Sequence, residues 1–220
     1  MRRYDAVLLD IDGTLVDSNG AHAAAWADAF ARYGRHHPAE RIRPLIGKGS
    51  DKLLGELAAL DPECEEGKKI SDARAEIFKA RYLSAVGPTR GAAAFVAWLL
   101  DSRLTVVVAT SAKQEEVKAL LTICSGQALA KDATTSDEAE RSKPDPDIVV
   151  AALKKSGASP DRAIMIGDTP YDVEAAGRAG VAAIAFRCGG WWDDAALRGA
   201  VAIYDDPGAL LDHLAQSPLG

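Results

Sequence analysis

The sequence predicts an α/β fold, with a Rossmann-like parallel sheet as its core and an inserted all-helical cap domain. Five short apolar runs have the length and composition of buried strands: residues 6–9, 104–109, 163–166, 181–186 and 200–204. Most of them alternate with helical patterns, at residues 92–100, 113–123, 147–155 and 173–179. Such alternation is typical of a parallel sheet wrapped by helices, which binds ligands beyond the carboxyl ends of its strands.

The pattern between the first two strands is helical only. Apolar residues repeat there at helical spacing in two stripes, formed by Trp26, Phe30 and Tyr33 and by Ile70, Ala73, Ile77 and Ala80. No strand pattern interrupts them. We therefore expect a catalytic core made of residues 1–17 and 88–220, and a helical cap made of residues 18–87.

Composition excludes several classes of protein. The chain has 220 residues and a formal net charge of −6, which offers no long-range attraction for nucleic acid or for an anionic membrane. Cys64, Cys124 and Cys188 are too few and too scattered for a disulfide framework or a thiolate metal site. The first apolar run is too short for a signal peptide, since Asp10 and Asp12 end it. We expect a cytoplasmic protein; the sequence leaves its oligomeric state open.

Polar residues follow three of the predicted strands: Asp10, Thr110 and Asp168. Because the carboxyl ends of parallel strands share one edge of the sheet, these side chains are expected to converge although they are far apart in sequence. The arrangement predicts a functional site at that edge.

The first strand leads into Asp10-Ile11-Asp12-Gly13-Thr14. A carboxylate here could attack phosphorus, while the second could protonate the leaving oxygen and later accept a proton from water. Gly13 lets the chain turn sharply out of the strand. A pair of turn-capping aspartates is the alternative reading of the spacing.

The second strand is followed by Thr110 and Ser111. Ser111 and Gln114 match a serine-x-x-glutamine capping box, so capping by itself explains Ser111. A hydroxyl and free N–H groups at a helix N-terminus also bind anions, and Thr110 could thus hold a phosphate oxygen.

Two later segments add charge to this edge. Lys143 precedes Asp145 and Pro146, which resemble a helix start, and it would supply the fixed positive charge that phosphoryl transfer needs if it points inward. Asp168 would complete an oxygen-ligand metal site. Mg²⁺ suits Asp10 and Asp168 with the backbone carbonyl of Asp12. Asp172 has a competing role, as the third residue of a helix capped by Thr169.

These elements, in this order and spacing, resemble the haloacid dehalogenase-like phosphatases, and the cap resembles the subgroup of phosphoglycolate phosphatases and β-phosphoglucomutases. The resemblance implies that Asp10 is nucleophile and metal ligand, and that Asp12 is the acid and base. It implies phosphate contacts from Thr110 and Lys143. Asp168 is the remaining metal ligand, supported by Asp172. Gly13, Thr14 and Ser111 are expected beside the substrate.

Residues of the cap are the other candidates for substrate contact. His22 is similar in placement to a histidine that contacts the leaving group in the mutase subgroup, although it could equally belong to a helix start. Lys48, Arg74 and Lys79 could reach substrate anions or be solvated. The pair Trp191 and Trp192 has no assigned role beyond covering the sheet edge.

Five functions are compared on the sequence. A Mg²⁺-dependent phosphatase acting on a small phosphorylated metabolite is favoured, because Gly167-Asp168 and Asp172 replace the glutamate-aspartate pair of the mutases. A phosphoacceptor signalling domain would be near half this length and would lack the cap. A dehalogenase is expected to lack an acid at Asp12, and a non-catalytic binding protein would not keep the whole set. Phosphoglycolate, sugar phosphates and nucleotides all remain candidate substrates.

Overall fold

A five-stranded, all-parallel sheet forms the centre of the computed structural model, which describes residues 3–220. Its strands are β1 (Ala6–Leu9), β2 (Thr105–Val108), β3 (Ala163–Gly167), β4 (Ala182–Phe186) and β5 (Ala202–Tyr204), in the spatial order β2-β1-β3-β4-β5. Every strand falls within a predicted run, apart from Gly167 at the end of β3. The predicted α/β class with its parallel sheet is confirmed.

Helices connect the strands and also fill the segment between β1 and β2. They are α1 (Asn19–Arg32), α2 (Ala39–Ile42), α3 (Ser50–Ala58), α4 (Glu65–Ile77), α5 (Ala92–Asp101), α6 (Gln114–Ile123), α7 (Asp147–Ser156), α8 (Pro170–Arg178) and α9 (Pro207–Asp212). A π-helical turn (Phe78–Tyr82) and a 3-10 turn (Leu83–Ala85) extend α4.

The sheet is buried on both faces because side chains alternate along each strand. On β1, Val7 and Leu9 join the apolar cluster that also contains the helices of the insertion. Ala6 and Leu8 point to the opposite cluster, which includes residues of α7 and α8. This two-sided burial explains why the strands read as continuous apolar runs.

The inserted helices leave and rejoin the core through two adjacent segments. The Asp17 N–H donates to the Gly87 carbonyl at 2.9 Å, and the Thr89 N–H donates to the Leu15 carbonyl at 3.0 Å. Both crossings therefore lie side by side, close to the predicted boundaries at 18 and 87. The division into two domains stays a prediction, which this geometry fits.

Some local predictions are wrong. Tyr33 and Ala80 belong to the predicted apolar stripes but are exposed, because both lie at or beyond the end of the helix that buries the rest of the stripe. The helix start predicted at Asp145 and Pro146 is present, because Pro146 occupies the capping position of α7.

The two tryptophans connect the core to the insertion. The Arg43 guanidinium lies over the Trp191 ring at 5.7 Å, and Trp192 packs edge-on against Tyr171 at 5.9 Å. The Tyr171 hydroxyl donates to the Pro44 carbonyl at 2.6 Å. Trp191 and Trp192 thus belong to a contact between the cap and the core. None of the helices between residues 3 and 220 has the length and apolarity needed to span a bilayer.

Phe95 tests the packing of α5 on the sheet. It is fully buried, with its ring 6.3 Å from that of Phe186. We expect Phe95→Ala to lower the free energy of unfolding by about 3–5 kcal/mol in urea denaturation, since it leaves a cavity. Leu100→Ala on the same helix, where Leu100 is 47% exposed, should change it by less than about 0.5 kcal/mol. Equal losses would contradict this packing.

Candidate active site

Three adjacent strands deliver polar residues to one edge of the sheet. Leu9 pairs with Val108 on β2 and with Ile166 on β3, so the residues that follow emerge side by side. Asp10, Thr110 and Asp168 are all buried there. The convergence expected from strand order is therefore present.

The turn after β1 brings two of these carboxylates together. The Thr14 hydroxyl lies 3.0 Å from Asp168 Oδ1 and 3.3 Å from Asp10 Oδ2. Gly13 has a φ of +76°, and a Cβ there would lie 2.2 Å from both Asp168 Oδ2 and Asn19 Nδ2. Only glycine permits this turn. Thr14 contacts both carboxylates through its hydroxyl, and Gly13 allows the close approach of Asp168. Contact of Gly13 and Thr14 with substrate stays a prediction.

Lys143 is the cation at the centre of the site. It is almost completely buried, and its Nζ lies 2.6 Å from Asp10 Oδ1 and 2.7 Å from Asp172 Oδ1. Burial by itself would lower the pKa of Lys143, but the charges of Asp10 and Asp172 raise it above its usual value. The ammonium is therefore fixed in its charged form.

Asp172 has two roles at once. Its Oδ2 accepts hydrogen bonds from the Thr169 N–H at 3.1 Å and from the Thr169 hydroxyl at 2.6 Å. Thr169 accepts in turn from the Asp172 N–H, which completes the capping box of α8 with Pro170 in its first turn. The capping role is confirmed, while the other carboxylate oxygen faces Lys143.

The acidic cluster carries more negative charge than the protein neutralises. Carboxylate oxygens of Asp10, Asp168 and Asp172 lie within 4.8 Å of one another. Burial raises the pKa of Asp10 to about 7 against the attraction of Lys143, and Asp172 adds to the rise. Burial together with Asp172 and Asp10 raises the pKa of Asp168 well above its usual value. When all three carboxylates are ionised, one ammonium offsets one of them, and two negative charges stay uncompensated.

A divalent cation that prefers oxygen ligands fits this charge and this donor set. Asn19 adds a further oxygen beside the cluster: its Nδ2 donates to Asp168 Oδ2 at 2.9 Å, and its buried Oδ1 has no partner among the described residues. The residues that could hold such an ion are Asp10, Asp168 and Asp172.

The Asp12 side chain turns away from the cluster. Its Oδ1 accepts from the Ser18 hydroxyl at 2.5 Å and lies 2.9 Å from His22 Nε2. Burial raises the pKa of Asp12, but His22 and Ser18 outweigh it and hold that pKa below its usual value. The His22 ring stacks on Phe78 at 4.0 Å, so the cap fixes its position.

A small cavity separates these carboxylates from the cap. Its volume is about 60 Å³. Asp10, Asp12, Thr110, Ser111, Ala112 and Glu116 line it from the core, and His22, Trp26, Ile46, Gly47, Lys48, Gly49, Ser50 and Arg74 line it from the insertion. The structure thus brings His22, Lys48 and Arg74 to the site.

Both cap cations in the cavity wall are paired. Arg74 Nη1 donates to both carboxylate oxygens of Glu116, at 2.8 and 3.0 Å, and its buried Nε has no partner among the described residues. Lys48 Nζ lies 2.7 Å from Glu56 and 4.7 Å from the centre of the Tyr171 ring. Lys79 lies in a different groove, beside Phe78, and does not line this cavity.

The capping box predicted for Ser111 and Gln114 is wrong. Helix α6 begins at Gln114 with Lys113 in the capping position, and the Gln114 N–H donates to Asp137 Oδ2 at 3.0 Å. The Ser111 hydroxyl instead donates to the Gly47 carbonyl of the cap at 3.1 Å. A long-range partner replaced the local one. Thr110 Oγ1 accepts from the Ala112 N–H at 3.1 Å.

Sequence reasoning missed three residues of the site. Asn19 binds Asp168 and Ser18 binds Asp12, but at the start of α1 both look like ordinary capping residues. Glu116 lies in the first turn of α6, where an acid favours the helix dipole. None of these roles leaves a separate local signal.

Comparison with known proteins agrees with this geometry. The fold and site define an α/β enzyme with an inserted helical cap. The chain belongs to the haloacid dehalogenase-like hydrolases, whose family pattern it matches over residues 4–180.

Similar proteins cover most of the chain. The phosphoglycolate phosphatase of Rhodospirillum rubrum is 30% identical, over 95% of this chain and 90% of its own. The validoxylamine A 7'-phosphate phosphatase of Streptomyces hygroscopicus subsp. limoneus is 28% identical, over 81% and 83%. A hydrolase crystal structure from Pseudomonas syringae superimposes with a TM-score of 0.89 at 28% identity, over 96% and 98%. These relatives identify the chain as a phosphoric monoester hydrolase of its family.

Asp168→Asn tests the excess charge in the cluster. A carboxyl whose pKa rises on folding destabilises the folded state when it is ionised, and the loss grows as the pH rises above the unfolded value of about 3.9. In excess chelator at pH 7.5 we expect the variant to have a higher thermal midpoint than the wild type, by about 2–4 °C for each kcal/mol gained. The gain should shrink at pH 5.

Metal binding should reverse this order. Mg²⁺ is expected to raise the midpoint of the wild type and to leave that of Asp168→Asn nearly unchanged, because the variant lacks one ligand charge. Asp132→Asn, an exposed site, is the control and should behave as the wild type. A destabilised Asp168→Asn that still responds fully to Mg²⁺ would refute the charge argument.

Proposed function

We propose that this enzyme is a Mg²⁺-dependent phosphatase that hydrolyses a small phosphomonoester through an aspartyl-phosphate on Asp10. The observation that carries the proposal is the placement of Asp10: a buried carboxylate held by Lys143, facing a small cavity at the carboxyl end of β1. Asp10, Asp168 and the Asp12 carbonyl would hold the ion, supported by Asp172. When bound, Mg²⁺ supplies positive charge for the oxygens of the transferred phosphoryl group.

The first step forms the phosphoenzyme. A carboxylate oxygen of Asp10 bonds to phosphorus while the bond from phosphorus to the ester oxygen breaks, and Asp12 gives its proton to that oxygen. In this proposal the Lys143 ammonium and the Thr110 hydroxyl hold phosphoryl oxygens. The negative charge of a bound phosphate favours proton uptake by Asp12, which offsets the effect of His22 and Ser18.

The second step releases phosphate. Asp12, now a carboxylate, takes a proton from water, and the water oxygen attacks phosphorus as the bond to Asp10 breaks. His22 and Ser18 lower the pKa of free Asp12, which favours the carboxylate form that accepts the proton in this step.

Hydrolysis is favoured over mutase chemistry by the end of β3. A Cβ at Gly167 would lie 2.4 Å from Asp172 Cγ, so the Asp172 carboxylate occupies the space that a side chain at position 167 would need. The glutamate of the mutase pattern does not fit there without displacing Asp172. This supports the reading of Gly167, Asp168 and Asp172 as a hydrolase variant of the site.

The cavity favours a small, polar leaving group. Its lining includes the ion pair of Arg74 with Glu116, the Lys48 side chain, whose partner Glu56 lies outside the lining, and Trp26. These groups offer both donors and acceptors to hydroxyl or carboxylate groups. The names of the relatives point to phosphoglycolate and to validoxylamine A 7'-phosphate. The three free cysteine thiols favour a reducing compartment, and we propose the cytoplasm.

Phosphate release from a panel of metabolites tests the proposed function. Purified protein should release phosphate from p-nitrophenyl phosphate and from some member of a panel of phosphoglycolate, sugar phosphates and nucleotides. Chelator should abolish the release and Mg²⁺ should restore it. Undiminished turnover in excess chelator would exclude the metal assignment. Glucose 6-phosphate appearing faster than free phosphate from β-glucose 1-phosphate with a bisphosphate primer would establish the mutase instead.

Asp12→Ala should separate substrates by their leaving groups. An alkyl phosphate needs a proton on the departing oxygen, so formation of the phosphoenzyme is expected to slow by about 10²–10⁴-fold. An aryl phosphate leaves without that proton and should lose much less in single-turnover release of the phenol. Asp28→Ala, at an aspartate of the cap outside the cavity, is the control. Equal losses for both substrates would make Asp12 a structural residue of the turn.

A further inference from the structure

We propose that Asp51 and Lys52, at the start of cap helix α3, are positioning residues for Lys143, so that the catalytic lysine is correctly placed only while α3 lies against the core. This inference rests on the proposed function, because it assumes that Lys143 holds the phosphoryl group.

Asp51 binds the residue that precedes Lys143. Its Oδ1 accepts from the Ser142 hydroxyl at 2.5 Å, and its Oδ2 accepts from the Ser142 N–H at 3.2 Å. Ser142 is 6% exposed. Both carboxylate oxygens of a cap residue are thus used to fix one residue of the core, a two-point contact that restrains its orientation as well as its position.

Lys52 binds the other end of the same turn. Its Nζ lies 2.5 Å from Asp145 Oδ2. The Asp145 N–H donates to the Ser142 carbonyl at 3.0 Å, which closes residues 142–145 into a turn with Lys143 inside it. Asp145 also faces Arg178 at 3.3 Å and Arg141 at 3.7 Å. Lys52 is thus a cap residue in a charge cluster whose other members belong to the core.

The backbone of the cap lies so close to this turn that glycines are needed at two positions. A Cβ at Gly49 would lie 2.7 Å from both Ser142 Cβ and Asp51 Oδ1. A Cβ at Gly47 would lie 2.8 Å from Thr169 Cγ2, next to the capping box that holds Asp172. The segment 47–52 therefore packs on the two loops that supply both neighbours of the Asp10 carboxylate, Lys143 and Asp172.

The Lys143 ammonium connects the contacts of Asp51 and Lys52 with the Asp10 carboxylate. It is held by two carboxylates at 2.6 and 2.7 Å, so a small shift of the turn lengthens both contacts. Displacement of a catalytic group by about 1 Å can cost as much as 10²-fold in rate. Contacts of Asp51 and Lys52 would thereby link closure of the cap over a substrate to placement of the charge that stabilises phosphoryl transfer.

Two explanations predict different behaviour without Lys143. If Asp51 and Lys52 act through Lys143, their removal costs little in a background where that lysine is already absent. If they only help the cap to close, or only stabilise α3, the cost persists in that background. A double-mutant comparison separates these cases.

The experiment compares Asp51→Ala/Lys52→Met with the wild type, using p-nitrophenyl phosphate at saturating Mg²⁺. We expect kcat/KM to fall by about 10- to 100-fold, and inhibition by inorganic phosphate to weaken in parallel. In a Lys143→Ala background the same pair should change kcat/KM by less than about twofold. The single variant Lys52→Met should lose part of kcat/KM. Lys52→Arg keeps the ion pair with Asp145 and should retain most of the wild-type value.

Glu65→Ala/Lys69→Met is the matched control. It removes a first-turn acid and a lysine from cap helix α4, where the pair is exposed and lies 2.5 Å apart. It should leave kcat/KM and phosphate inhibition unchanged. A comparable fall in thermal midpoint in both double variants would show that loss of a first-turn charge does not explain the rate effect.

Four results overturn the proposal. These are wild-type kcat/KM in Asp51→Ala/Lys52→Met, an equal loss with and without Lys143, an equal loss in the control pair, and unchanged inhibition by phosphate. If Lys143→Ala does not fold or turn over, the inhibition constant for phosphate decides, since an unchanged constant excludes a displaced lysine. An inactive wild type would refute the phosphatase function itself.

Discussion

The site depends on the ammonium of Lys143 between the carboxylates of Asp10 and Asp172. Three buried carboxylates meet at the edge of the sheet, and among residues 3–220 Lys143 is the cation in contact with two of them, Asp10 and Asp172. Loss of one partner of a buried ion pair typically costs about 3–5 kcal/mol, because the remaining charge is left uncompensated. The same shortage of positive charge prepares the site for a divalent cation and for a phosphoryl group whose oxygens Lys143 would hold.

The fold makes this charge arrangement available and covers it. Strand order puts the ends of β2, β1 and β3 side by side, which supplies Thr110, Asp10 and Asp168. A short segment of the cap, residues 43–52, reaches the same edge and meets the loops after β2 and β3 and the turn before α7. Because the contacts to Ser111, Ser142 and Tyr171 all come from this segment, binding of the cap and completion of the site are physically linked.

Much of the core site could be predicted from sequence, because its residues follow strands that apolar runs identify. Asp10, Thr110 and Asp168 belong to this group, and the capping box of Thr169 and Asp172 is a local pattern that the structure keeps. Residues whose partners are distant in sequence were beyond reach. Asn19 meets Asp168 across 149 positions and Asp51 meets Ser142 across 91. The capping role predicted for Ser111 is wrong for the same reason, since its partner Gly47 belongs to the cap.

The central claim is that Asp10 itself receives the phosphoryl group, and trapping the phosphoenzyme tests it most directly. Asp12→Ala, mixed with an aryl phosphate and Mg²⁺ and quenched in acid, should release the phenol faster than it releases phosphate. Mass spectrometry of the digested protein should then find a hydroxylamine-sensitive phosphate on the peptide that contains Asp10, and on Asp10 within it. Stoichiometric release of phosphate with the phenol in the first turnover, or phosphate on another residue, would contradict the account.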